Sequence, residues 1–192
     1  MSKAIYRGKV SESRNTIKWS TKEVSRVLLV VLLSGWMLAV ASDVWAQEMS
    51  STLAQQIQGS WILVSISVVQ DGNKIDPYGP NPRGTLILTP DGRFSAILMR
   101  ASLSKFASNN RMKGTAKENE AVVQGSHAYF GTYTVASDKE RTVNYHIEGS
   151  TFPNWDGQDH MRVLTVIGDE LKITNPTTSI GGTAYSVWKR AK

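Results

Sequence analysis

The stretch Val143-Asn144-Tyr145-His146-Ile147-Glu148 sets an imidazole and a carboxylate two positions apart. In an extended chain that spacing puts both on one face. If that face looks into a protein interior, His146 and Glu148 are polar handles in an apolar cup; if it looks outward, they are solvated. A general base at His146 is the sharper form of the first reading. Arg162 poses a similar question. On His160 to Ile167, residues Met161, Val163, Thr165 and Ile167 alternate with His160, Arg162, Leu164 and Val166. An inward Arg162 would pair with a ligand carboxylate or a buried acid; an outward one would bridge to Asp156 or Asp159. Tyr129, Tyr133, Tyr145, Trp155 and Tyr78 supply aromatic surface with polar tips, suited to an amphipathic ligand and equally to core packing. Tyr78 and Trp155 stand in proline-containing loops and are the better rim positions.

Other chemistry finds little support. His127, His146 and His160 lack a short metal-binding spacing, so no metal site is assigned. Cysteine is absent, which removes thiol chemistry and disulfides. No Gly-x-Ser-x-Gly elbow, phosphate loop or dinucleotide fingerprint occurs, so neither catalytic residues nor a cofactor are assigned.

The elements that would position these groups are strands. From Gly59 on, Val- and Ile-rich segments of four to nine residues alternate with turn signals: Asp71-Gly72, Pro90-Asp91-Gly92 and Gly168-Asp169. Gly84 to Thr89 and Arg93 to Met99 form the clearest hairpin. Residues 76–83 hold three prolines and cannot be regular structure. Residues 100–126 are polar, predicted partly helical around Thr115 to Val123, and long enough to act as a lid. A lead-in helix is expected over residues 47–58. Eight strands with mostly short connections predict an all-β fold, an eight-stranded antiparallel up-and-down barrel, with the partly helical insertion between the third and fourth strands. Such a barrel is filled by its side chains or holds one small ligand.

Residues 1–46 read as an export signal: seven cations over a polar start, an apolar run from Val27 to Ala41, and a small residue, Ala46, before the expected cut. Counting on through Val44 brings the run near the length of a membrane span, so an uncleaved anchor is the alternative. Loss of this signal helix removes seven of the 22 cationic and three of the 16 acidic residues, leaving fifteen against thirteen and a net charge of +2. The basic character of the whole chain belongs largely to the export segment and gives no reason to expect nucleic acid. One domain, 47–192, is expected, in an exported, periplasmic or secreted protein.

Two bookends define the resemblance. Gly59-Ser60-Trp61 opens the first strand, and Trp188-Lys189-Arg190 closes the last. With Tyr78-Gly79-Pro80-Asn81-Pro82-Arg83-Gly84-Thr85, Thr89-Pro90-Asp91-Gly92-Arg93-Phe94, Tyr129-Phe130-Gly131-Thr132-Tyr133, Val143-Asn144-Tyr145-His146, Pro153-Asn154-Trp155 and Arg162 in order, the chain resembles the bacterial and fungal lipocalin-like proteins, calycin-type barrels. The resemblance implies that Gly59, Trp61, Trp188 and Arg190 close the barrel, with a cation over the Trp61 ring. Arg190 is the expected cation and Lys189 its competitor, because one residue of register changes the face. The expected partner of an eight-stranded barrel of this kind is a small hydrophobic or amphipathic molecule in its cavity. A cavity-based cyclase or isomerase, and a barrel packed solid that acts through its surface, are the alternatives.

Overall fold

The computed structural model describes residues 51–192, so the signal or anchor assignment of residues 1–46 lies outside the described residues. Strands dominate: β1 (Gly59–Gln70), β2 (Asn73–Ile75), β3 (Arg83–Leu88), β4 (Arg93–Met99), β5 (Ser126–Ser137), β6 (Thr142–Ser150), β7 (Asp159–Ile167), β8 (Glu170–Asn175) and β9 (Thr183–Arg190). Each of the eight long strands pairs antiparallel with its neighbours, and β1 pairs with β9 to close the sheet. β2 is a ninth strand, beyond the eight expected from the sequence. It extends β1 through a two-residue turn in which Asp71 and Gly72 both have positive φ, the geometry that suits a tight hairpin. All three of its residues are exposed, so no alternation marks it.

Up-and-down order gives the barrel two unlike ends. At one end lie the tight β3–β4, β5–β6 and β7–β8 turns and the helix α1 (Leu53–Ile57). A capping box starts α1: Thr52 Oγ1 accepts from Gln55 N–H, and Gln55 Oε1 accepts from Thr52 N–H at 3.0 Å. Leu53 and Ile57 are fully buried, so the short helix acts as a plug. It is fastened by Leu53 N–H to Asp138 (2.6 Å) and by Arg141 Nη2 to Gln56 (2.7 Å). At the other end lie residues 76–82, the segment between β4 and β5, the β6–β7 loop and the β8–β9 loop. That long segment carries the helix α2 (Ala116–Gly125), capped by Thr115 and Glu118, and Arg100 N–H to Gly125 O (2.8 Å) draws its two ends together.

Inside, period-two alternation fills the plugged half. Leu86, Leu88, Phe94, Tyr133, Val143, Tyr145, Ile147, Leu164, Leu171 and Trp188 are all buried there. A bulge between Leu63 and Ser65 shifts the parity of β1, so Trp61 and Leu63 point inward below it, and Val68 is the deeply buried position above it.

Candidate functional site

The two ends of the barrel do different work. At the plugged end the Trp61 ring is fully buried, its Nε1–H donates to Ile57 O (2.8 Å), and the Arg190 guanidinium lies 4.1 Å from its centroid. Register selects Arg190 over Lys189, because Trp61 stands opposite Arg190 on β9. Arg190 also donates to Gln58 O (2.8 Å) and Gln56 O (2.9 Å), tying the last strand to α1. Gly59 has φ +116° and lies so close that a Cβ would sit 3.1 Å from Arg190 Nη1. Trp188 Nε1–H donates to Ser186 Oγ on the same inner face (2.9 Å).

At the other end a cavity of about 300 Å³ opens between the loops. Val68, Ala184 and Asn175, adjacent on β1, β9 and β8, form one wall. Tyr78, Phe152 and Ile180 come from three different loops, and Val123 and Gln124 from α2. His127, Tyr129 and Trp155 meet at its aromatic inner end, with ring centroids 4.8 to 5.4 Å apart. Apart from His127, none of the lining residues carries an ionisable acid or base other than phenol.

Behind this layer sits a buried cation. Arg162 is 3% exposed, donates from Nη1 to Tyr129 Oη (3.0 Å), and faces the rings of Tyr145 (4.5 Å) and Tyr129 (5.1 Å). Its Nε and Nη2 have no hydrogen-bond partner, and neither does Tyr145 Oη or His160 Nε2. No described carboxylate pairs with it; the ion pairs Arg93–Glu148, His146–Asp159 and Lys172–Glu170 all involve exposed side chains. Removing a charge from water without an ionic partner costs several kcal/mol, and cation–π contacts return only part of that.

The structure therefore sorts the candidate residues. Tyr129, Trp155 and Tyr78 line the cavity, with Arg162 immediately behind. Tyr145 is fully buried beneath Arg162, and Tyr133 lies toward the plugged end, where its hydroxyl donates to Thr89 O (2.8 Å). His146 requires correction as a ligand handle. Val143, Tyr145 and Ile147 take the inner face of β6, which forces His146 and Glu148 outward, onto Asp159 (2.9 Å) and Arg93 (2.7 Å). His146→Ala is accordingly expected to change unfolding free energy by no more than about 0.5 kcal/mol and to leave ligand binding unchanged, checked by urea denaturation and probe titration.

The histidines inside are His127 and His160. Sequence reading weighed them only as metal ligands, although His127 shares the parity of Tyr129 and Tyr133 on β5, and His160 that of Arg162 on β7. His127 Nε2 lies 3.0 Å from Ser150 Oγ. Burial, reinforced by the Arg162 charge, lowers its pKa to about 4, and the same two causes lower that of His160 against the opposing pull of Asp159. Both groups bind protons more readily when unfolded, so stability is full above about pH 6.5. It falls as the pH drops below that value, and the His127 contribution levels off near pH 4. Melting temperatures between pH 7.5 and 5 should show this decline, and His127→Gln should flatten it; an unchanged slope in the variant would refute the assignment.

A family model described as a lipocalin-like domain matches residues 58–191. The chain belongs to that family. Its match begins just before Gly59 and ends just after Arg190, so this lipocalin-like domain spans the whole barrel together with its seam. A curated relative, a 4'-hydroxy-3'-methoxypropiophenone carrier protein from Aspergillus oryzae, is 28% identical over 105 residues, covering 50% of this chain and 95% of that protein. Among solved structures, a variant of the fluorescent protein UnaG aligns with 12% identity and a TM-score of 0.35, covering 71% of this chain and 97% of the other.

Proposed function

We propose that this lipocalin-like barrel is a binding or carrier protein for a small apolar or amphipathic molecule, held in the cavity lined by Tyr78, Tyr129, Trp155 and His127. The observation that carries this reading is the division of the barrel: its plugged half buries a cluster of apolar side chains, whereas its open half keeps a cavity of about 300 Å³ lined mainly by aliphatic and aromatic side chains with a minority of neutral polar ones. That volume is at the lower bound of ligand pockets and suits a compact ring system better than a long chain. The Aspergillus relative, named as a carrier of a methoxylated hydroxyphenyl ketone, supports ligands of that size. Burying roughly 300 Å² of apolar ligand surface at about 25 cal/mol per Å² gives about 7 kcal/mol before association costs, so dissociation constants in the micromolar range or weaker are expected. Export led by residues 1–46 forms part of the proposal and would place the carrier in the periplasm or outside the cell.

Native mass spectrometry of the purified protein, followed by titration with the neutral fluorescent probe N-phenyl-1-naphthylamine, tests the binding. Saturable one-to-one binding supports it; no co-purifying molecule and no probe binding would refute it. Cell fractionation with N-terminal sequencing of the full chain tests export: a mature protein starting at Gln47 outside the cytoplasm is the expected result.

A further inference from the structure

We infer that the ligand is an aromatic organic anion whose acidic oxygen seats on the Tyr129 hydroxyl, with Arg162 as its buried counter-charge. The inference rests on the binding reading above and sharpens it from a small molecule to a charge class. Three features of the inner end of the cavity carry it.

The first is polarity. Arg162 Nη1 donates to Tyr129 Oη at 3.0 Å, so the tyrosine oxygen is the acceptor in that contact and its own O–H remains free to donate. Tyr129 is both a lining residue of the cavity and the hydrogen-bond partner of Arg162, so it is the residue that links the cavity wall to the buried charge. The second is charge balance. A guanidinium cannot shed its proton at any physiological pH, and Arg162 is 97% buried by its 3% exposure, with two nitrogens unpartnered and no described carboxylate in reach. Buried beside Tyr129, a lining residue, its charge is little screened by water, and no carboxylate lines the cavity. The third is shape. The Trp155, His127 and Tyr129 rings offer aromatic faces and edges around the donor, so a flat body can pack there while its anionic end points at the hydroxyl. A neutral ligand would leave the cation uncompensated; an anion converts an unfavourable buried charge into a paired one. A hydrogen bond to a charged group distinguishes charged from neutral ligands by about tenfold or more.

Displacement of bound N-phenyl-1-naphthylamine by 2-naphthoate and by 2-naphthamide, which share a skeleton and differ in charge, tests the inference at pH 7.5. The expected result is displacement by naphthoate at a concentration at least tenfold lower than by naphthamide. Arg162→Met should bring the two within about threefold of each other while the neutral probe still binds, because Met fills much of the arginine's space without its charge. Tyr129→Phe, which keeps the ring and removes the relaying hydroxyl, is a second variant expected to reduce the preference. Equal displacement by acid and amide in the unaltered protein, or a preference intact in both variants, would overturn the anion inference and leave the carrier reading standing. Failure of the neutral probe to bind, together with no co-purifying molecule, would overturn both.

Discussion

Trp61→Ala is expected to destabilise the barrel by about 3–5 kcal/mol, a large share of the 5–15 kcal/mol typical of a domain. Three losses coincide at one site. The largest is the transfer and cavity cost of deleting a fully buried indole from the plugged end, where Leu53 and Ile57 leave little freedom to collapse because α1 is pinned to Asp138 and Arg141. The second is the hydrogen bond to Ile57 O, whose carbonyl is left buried and unpaired. The third is the stacked guanidinium, 4.1 Å away, which keeps its bonds to Gln56 and Gln58 but loses the ring it covers. Urea denaturation followed by far-UV circular dichroism should show a lowered midpoint with an unchanged slope. A double-mutant cycle with Arg190→Met should isolate a coupling of about 1 kcal/mol for the ring–cation pair. A Trp61→Ala variant within 1 kcal/mol of the parent would mean that the seam is held by the β1–β9 ladder and not by the ring.

This closure was legible because it depends on residues at the two ends of the ordered pattern. Period-two alternation from Gly59 to Arg190 also revealed the eight barrel strands, and Arg162 was readable as one of two possible faces of β7. The inner face of β6 is legible in the same alternation. Val143, Tyr145 and Ile147 against Asn144, His146 and Glu148 is a plain contrast of apolar and polar, and burial of the apolar set decides the face whatever chemistry an inward imidazole could do. The bulge in β1 is a different case. Val64 is an exposed extra residue in a run of Val, Ile and Leu, and no local signal distinguishes it from its buried neighbours. Two capping boxes, Thr52 with Gln55 and Thr115 with Glu118, were present in the sequence and would have fixed both helix starts. The cavity itself was beyond sequence reading, because its walls join β1, β8 and β9 with loops separated by as much as a hundred residues. One of its walls is the small side chain of Ala184, and alanine is ordinary on any inner face.

Position 184 therefore provides the strongest test of what the open half is for. Ala184 is buried on β9, opposite Val68 on β1 and Asn175 on β8, and all three line the cavity. An indole introduced there occupies space the ligand needs, while the strand pairing on either side depends only on the backbone. Ala184→Trp is expected to weaken binding of N-phenyl-1-naphthylamine at least a hundredfold, about 2.7 kcal/mol, because a ligand that half-fills the remaining space loses most of its apolar contact. In a tightly packed core the same exchange would cost stability by forcing neighbours off their rotamers. Here the new ring enters existing room against Val68 and Ile66, so the melting temperature should be held or raised. The two readouts move in opposite directions only if the open half trades packing for occupancy. Loss of fold together with binding would show instead that position 184 is already fully packed, and retained binding would place the ligand elsewhere on the barrel.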